Sequence, residues 1–179
     1  MPVRLPLAVL VLLGGLTFSL VGVGLSGADG SGAVVRVDGP PVARHEHAPV
    51  SARQHALRVL SSWDRRRADA WADGDLRALR ALYAPRAAAG SADVALLRRY
   101  LRRGLVVRDL RMQLLAVRVL AARPRVLLLV VTERLAGAHA VRVGDGTTRR
   151  LPGTSAVERR IVLRRVDGRW RVARVSAVG

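Results

Sequence analysis

The sequence contains no cysteine, no lysine and no asparagine, a single isoleucine at Ile161, and six aromatic residues among 179. Without cysteine there is no disulfide, no thiol nucleophile and no lipidated cysteine, a condition compatible with either side of a membrane. Without lysine, all 31 basic residues are arginine; against 13 acidic residues they give a formal net charge of +18. Such a surplus ordinarily points to nucleic acid or an anionic surface. Two features argue against nucleic acid here. Arginine, alanine, glycine and valine have GC-rich codons, whereas lysine, asparagine and isoleucine have AT-rich ones, so a GC-rich genome accounts for much of the bias. The arginines are also scattered along the chain instead of gathered in one block. Half the residues are apolar, enough for one domain with a core plus an appendage.

The longest uncharged run is residues 5–28, LPLAVLVLLGGLTFSLVGVGLSGA. As a helix it would extend about 36 Å, enough to cross a bilayer core of about 30 Å. It reads either as a signal peptide, with Arg4 before it and Ser26-Gly27-Ala28 as a cleavage site, or as an uncleaved signal anchor. The run exceeds the usual signal-peptide apolar length, which favours the anchor, with residues 1–28 as a transmembrane segment. Arg36, Arg44 and Arg53 follow the span and only Arg4 precedes it, a bias against an outward orientation. A short N-terminal tail and a long C-terminal domain nevertheless lead us to expect a single-pass protein of the cell membrane with its domain outside the cytoplasm; the alternative is a secreted protein.

Residues 29–50 read as a flexible linker. They hold Gly30, Gly32, Gly39, Pro40, Pro41 and Pro49 and show no amphipathic period. His45 and His47 lie here and His55 just after. No carboxylate or thiol completes a ligand set at a recognisable spacing, so no metal and no cofactor is expected.

Residues 51–179 read as one α+β domain. From His55 to Pro85 the pattern is a long helix, a break at Asp73-Gly74 and a shorter helix. Leu57, Leu60, Trp63 or Asp64, Arg67 and Trp71 recur at helical steps, and Leu76, Leu79 and Leu82 repeat the pattern. Asp75 is the expected N-cap of the second helix, and Pro85 forbids its continuation. Ser91 is the expected cap of a third helix, with Asp93 in its first turn, where a carboxylate favours the positive helix end, and Gly104 as its stop. Beyond Leu105 the period becomes that of strands. A parity change near Leu115 implies a bulge. Residues 126–131 are apolar on both faces, as in a central strand. AHAVRV is a separate short strand, and Gly144 to Pro152 is a polar loop. Asp167-Gly168 between two alternating runs is a hairpin signal.

Three helices followed by a meander of antiparallel strands resemble the nuclear transport factor two-like superfamily, which includes the SnoaL-like cyclases. The residues carrying the resemblance are W-D-R-R-R-A-D-A-W-A-D-G-D at 63–75, L-R-A-L-Y-A-P at 79–85 and V-D-G-R-W-R-V at 166–172. The resemblance implies a cone-shaped fold, three helices packed on a curved antiparallel sheet, with a pocket between. It implies no activity, because the fold hosts enzymes, binding modules and scaffolds alike. A span, a tether and such a domain together also look like the mammalian-cell-entry-associated membrane proteins of actinobacteria and the inner-membrane scaffolds of type IV secretion systems.

Enzymes of that superfamily place Asp, Tyr or His in the cone. The candidate pocket residues here are Trp63, Asp64, Arg67, Trp71, Tyr83, Tyr100, Glu133 and Trp170. Asp64 could act as a general base, but an i, i+3 ion pair with Arg67 is the simpler expectation. Tyr83 and Tyr100 are expected to pack their rings, Trp170 to join the core, and His139 to be solvated beside a turn. No catalytic residue is assigned. The expected function is a non-catalytic, membrane-anchored binding or scaffold domain, with a SnoaL-like isomerase, cyclase or dehydratase acting on an apolar small molecule as the alternative. On the sheet, Val126, Leu128 and Val130 alternate with Leu127, Leu129 and Val131, and the helices can cover only one set. A homodimer or a protein partner is therefore expected on the other face, rimmed by Arg159, Arg160, Arg164 and Arg165. Fractionation of cells expressing the full chain with a C-terminal tag is expected to recover it with membranes; recovery only of a soluble form beginning near Asp29 would show cleavage instead.

Overall fold

The structure is a computed structural model that describes residues 50–178. The apolar run 5–28 and the linker up to Pro49 lie outside the described residues. No helix among the described residues is long and apolar enough to cross a membrane. Three helices come first: α1 (Val50–Asp73), α2 (Leu76–Ala81) and α3 (Ala88–Leu101). Five strands follow: β1 (Leu105–Arg123), β2 (Val126–Arg142), β3 (Thr148–Arg150), β4 (Val157–Val166) and β5 (Arg169–Ala177). The strands form one antiparallel sheet in the order β1-β2-β4-β5, with β3 pairing the distal half of β2.

Helix α1 forms where the apolar residues fall at steps of three and four. Val59, Leu60, Trp63, Ala70 and Trp71 are buried on one face, together with Arg67. The helix ends at Gly74, whose φ of +70° is accessible to glycine at little steric cost. Asp75 caps α2 as expected, accepting from the Arg77 and Ala78 amides at 2.8 and 2.9 Å. The segment after α2 is stitched to the last strand: Val172 N donates to Leu82 O at 3.0 Å, and Ala84 N donates to Val172 O at 2.9 Å. Trp63 Nε1 adds a bond to Leu82 O at 3.0 Å. The helix layer is thus tied by backbone hydrogen bonds to the far edge of the sheet as well as packed on it.

The third helix departs from expectation. It starts at Ala88, three residues before Ser91, and its N-cap Ala87 makes no side-chain cap bond. Asp93 is consequently not a first-turn carboxylate facing the helix dipole. It is fully buried within the helix, facing α1. The early start lets Gly90 pass beside Tyr83, where an added Cβ would lie 2.6 Å from the Tyr83 Cβ. Gly104, at φ +65°, ends the helical segment as the pattern implies.

The sheet is curved because β1 is irregular. Its pairing with β2 shifts between Arg108 and Arg111, Arg111 and Met112, Leu114 and Ala116, and Val119 and Ala121. The shift at Leu115 is the bulge the parity change signalled. Each such irregularity bends and twists the strand. The second strand is longer than expected: AHAVRV is no separate strand but the continuation of β2 through Gly137 to Arg142. The loop after it contains β3. Asp167 and Gly168, at φ +50° and +73°, form the two-residue hairpin turn, whose paired positive φ values match the twist of the flanking strands.

The core lies between the helices and the inner sheet face. Leu127, Leu129, Val131 and Leu163 there are solvent-free or nearly so. Burying one such side chain contributes about 1.5–3 kcal/mol. The outer face is not bare. Val126, Leu128 and Val162 are half-buried, and Val130 retains only 3% of its exposure. Val130 sits in a cross-strand row between Arg118 and Arg160, whose aliphatic stems can lie along it. Of the arginines expected to rim this face, Arg159 instead turns inward and is buried.

The close pass of α3 past Tyr83 leaves no room for a methyl group. Gly90→Ala is expected to destabilise the domain by about 1–3 kcal/mol, the usual range for overpacking, as read by urea denaturation; a variant as stable as the parent would show that the two segments separate freely.

Candidate functional site

The strongest polar feature of the interior is centred on Asp93. Arg67 of α1 reaches it with two parallel bonds, Nε to Oδ2 at 2.7 Å and Nη2 to Oδ1 at 2.9 Å. Trp71 Nε1, one turn later on α1, donates to Oδ1 at 3.1 Å. Tyr83, from the segment between α2 and α3, donates its hydroxyl to Oδ2 at 2.6 Å. A carboxylate with four donors on two oxygens is saturated, and it compensates the burial of the arginine. Burial works against the Arg67 charge, but Asp93, Tyr83 and Asp64 together outweigh it and hold the guanidinium more firmly protonated than usual. Burial also raises the Tyr83 hydroxyl, with Arg67 opposing, so it stays protonated and donates. The rings pack edge-on: Trp63 against Tyr83 at 5.5 Å and Trp71 against Tyr100 at 5.6 Å between centroids.

This network replaces the expected Asp64–Arg67 pair. An i, i+3 pair is available to any such sequence, but Arg67 points across to α3, where a fixed fork meets a fully buried carboxylate; a partly exposed Asp64 offers a weaker partner. Asp64 has no hydrogen-bond or ion-pair partner among the described residues.

A second polar group occupies the interior nearer the sheet. Glu133 of β2 faces inward, and Arg159 of β4 donates Nη1 to its Oε1 at 3.2 Å. The two are diagonal neighbours, because Arg159 pairs with Val131 and Glu133 with Val157. Burial raises the Glu133 carboxyl, with Arg159 and then Arg67 opposing. Burial lowers the Arg159 guanidinium, with Glu133 opposing. Asp64 lies within the field of this pair. Burial, then repulsion from Glu133, pushes its carboxyl up to about 7, with Arg67 opposing. The arrangement offers one unpaired carboxyl that gains or loses a proton near neutral pH, beside one satisfied ion pair.

The remaining expected residues are more peripheral. Tyr100 is half-buried, and burial raises its hydroxyl against the pull of Arg103 and Arg99. Trp170 is half-buried, not deep core, and meets His55 edge-on at 5.7 Å. His139 lies within β2 opposite the first bulge, with Nδ1 3.2 Å from Asp109 Oδ2 but without hydrogen-bonding geometry. No group of three or more potential metal ligands occurs among the described residues. The structure therefore splits the eight expected residues. Trp63, Arg67, Trp71 and Tyr83 belong to the structural network, Asp64 and Glu133 to the second cluster, and Tyr100 and Trp170 to its margins. Sequence reasoning missed Asp93 and Arg159. Asp93 carried a signal only in hindsight, since Val94 and Leu97 next to it on the helix are core.

No family model matches the sequence, and no curated protein matches it. Among solved structures, the chain is similar to the intermembrane space region of the chloroplast protein ARC6, at 17% identity and TM-score 0.48, covering 72% of this chain and 96% of that one. It is similar to Aln2 from a Streptomyces species at 15% identity and TM-score 0.46, covering 68% and 88%. It is similar to an NTF2-like protein with a cystatin-like fold from Novosphingobium aromaticivorans at 17% identity and TM-score 0.39, covering 70% and 84%. Several of the similar structures are described as NTF2-like, and no activity passes to this chain from likenesses of this strength.

Removing the carboxylate at the centre strands a buried guanidinium. Asp93→Ala is expected to cost about 3–5 kcal/mol and to abolish cooperative unfolding if the remaining stability is small. Tyr83→Phe removes one donor and is expected to cost about 1–2 kcal/mol. Chemical denaturation of both variants checks the order; equal effects would show that Arg67 does not depend on Asp93.

Proposed function

We propose that this chain is a membrane-anchored binding or scaffold domain held outside the cytoplasm, without a catalytic role of its own. The observation that carries this is the closure of the network around Asp93. Arg67, Trp71 and Tyr83 are the side chains best suited to polarise or protonate a substrate in a cone of this kind. Trp71 and Tyr83 spend their only side-chain donors, and Arg67 two of its five N–H groups, on one buried carboxylate. An oxyanion-binding role needs donors aimed at an incoming oxygen, and those of Trp71 and Tyr83 are already engaged. The apolar run 5–28 and the linker behind it supply the membrane part of the proposal. A protein partner or a small apolar ligand is the class of binder such a domain takes.

A second reading, a SnoaL-like isomerase, cyclase or dehydratase, is favoured by one feature. Asp64 is an unpaired carboxyl whose proton affinity lies near neutral pH, the condition for a general base. The two readings separate on Asp64. Its carboxyl binds protons more tightly folded than unfolded, so between about pH 4 and pH 7 the folded state holds the extra proton. Stability is therefore greatest below that window, falls as pH rises through it, and stays lowered above pH 7. Glu133 acts in the same direction.

Asp64→Asn removes that burden. At pH 8 it is expected to raise stability by roughly 1–4 kcal/mol and to flatten the fall in melting temperature between pH 4 and pH 7. Partner binding should be unchanged. A variant that is equally folded but has lost a measurable turnover of an apolar carbonyl or hydroxyl compound would instead establish the enzyme reading.

A further inference from the structure

The outer face of the sheet carries a charge pattern that the interior chemistry does not use. Strand register places Arg118 and Arg160 in one cross-strand row on either side of Val130. Arg174 ends the next row, across Leu128 and Val162, and Arg123, Arg164 and Arg171 share the row after that, across Val126. Alternation along each strand puts all six on the face opposite the helices. Five of them are exposed and Arg171 is half-buried. Two carboxylates answer them. Glu158 lies 3.7 Å from Arg118, and Asp167, in the hairpin turn, lies 3.2 Å from Arg171. Arg123, Arg160, Arg164 and Arg174 have no carboxylate partner among the described residues.

The composition of the chain explains why its cations are arginine. It does not explain why the strand register gathers six of them on one face, four without a carboxylate partner among the described residues. Helix α1 carries five arginines with three aspartates interspersed, Asp64, Asp69 and Asp73. The sheet face, by contrast, is a two-dimensional lattice of guanidinium groups separated by half-buried valine and leucine. Neighbouring strands are about 4.8 Å apart and alternate residues about 6.7 Å apart, so the positive sites spread over a plane and do not follow one line. A second copy stacked sheet to sheet would set these arginines against one another.

We propose that the outer sheet face docks on a bilayer surface containing anionic phospholipid, with the guanidinium groups paired to headgroup phosphates. Three observations favour this occupant. The charge is complementary and two-dimensional. The face has no aromatic side chain on which bases could stack, since the described aromatics belong to the helix layer, its connecting segment and the inward side of β5; stacking platforms are the usual device for single-stranded nucleic acid. The sequence between the apolar run and α1 is residues 29–49, and a tether of that length spans about 25 Å. A domain of this size has a radius of gyration of about 14 Å, so the proposed anchor and linker would hold it close to a bilayer. The last observation rests on the membrane anchor proposed above; the first two do not.

The absence of cysteine permits a single-site label on the full chain. Ser176→Cys, beside Arg160 on the sheet face, and Ser61→Cys, exposed on α1, each carry a fluorophore. The labelled chains are reconstituted with vesicles of phosphatidylcholine, or of phosphatidylcholine and phosphatidylglycerol, bearing a headgroup quencher. The expected result is strong quenching at Ser176 only, dependent on phosphatidylglycerol and lost at high salt, because exposed charges are screened within a Debye length. Each arginine near an anionic surface is worth about fivefold in partitioning. The variant Arg160→Gln, Arg164→Gln, Arg174→Gln is therefore expected to weaken the phosphatidylglycerol-dependent association about a hundredfold. If that variant misfolds, the salt series on the parent chain decides. Equal quenching at both sites, a Ser176 signal indifferent to phosphatidylglycerol, or quenching relieved by a short oligonucleotide at lower concentration than by phosphatidylglycerol overturns the proposal. A chain that fails to enter phosphatidylcholine vesicles refutes the anchor alone, since phosphatidylglycerol-dependent quenching is still read on added vesicles.

Discussion

Arg67 of α1 and Asp93 of α3 meet in a bidentate bond in the interior of the domain. Removing two charges from water is expensive, and their attraction offsets the cost only when geometry is good and every remaining hydrogen-bonding site is filled. For the carboxylate both conditions are met. The guanidinium fork reaches both carboxylate oxygens, and Trp71 and Tyr83 fill the remaining acceptor positions. The four side chains come from α1, from α3 and from the segment between α2 and α3. One arrangement of those elements satisfies them all. Any slip of α3 along α1 would leave an unpaired charge in the core, so the network selects a register that apolar packing alone would specify loosely.

That register has consequences away from the pair. Tyr83 can reach Asp93 because the chain after α2 runs along β5, where it exchanges backbone bonds with Val172. Gly90 is required where α3 crosses Tyr83. The early start of α3 without a side-chain cap gives up a favourable helix N-terminus, a loss of about 1 kcal/mol. The placement of Asp93 compensates for it. Arginine is better fitted than lysine to this position, because a planar fork meets a carboxylate in two bonds where an ammonium makes a point contact. A chain with no lysine at all is thus well supplied for such a core.

The two sides of the sheet divide the chemistry. Inward, β2 and β4 contribute one ion pair, Glu133 with Arg159, in whose field the carboxyl of the unpaired Asp64 is pushed up to about 7. Outward, β4 alternates Arg160, Val162 and Arg164 beside Val126, Leu128 and Val130 of β2. The residue period of two, which buries Leu127, Leu129 and Val131, also lifts Arg160 and Arg164 into solvent on the opposite face. A single register decides both the composition of the core and the charge of the surface.

The helices, the cap at Asp75, the stops at Gly74 and Gly104, the bulge at Leu115 and the hairpin at Asp167-Gly168 were legible in the sequence. Each is decided by local physics: period, a side chain bonding its own backbone, or a positive φ. So were Trp63 and Trp71 as interior aromatics, because they share a helix face with Leu60. The partners of the charged residues were not legible. Asp64 and Asp93 look equally placed to meet Arg67, one by helical spacing and one as an ordinary first-turn carboxylate. Only the fold puts Asp93 at zero exposure where the Arg67 fork meets both its oxygens, a bidentate geometry that Asp64 does not offer. Likewise Glu133 and Arg159, 26 residues apart, become neighbours only through the pairing of β2 with β4. Local spacing set most of the helices and strands and the apolar positions, though not the start of α3 or the length of β2. Packing set which charges meet, because electrostatic pairing depends on distance and burial, and neither is encoded in local spacing.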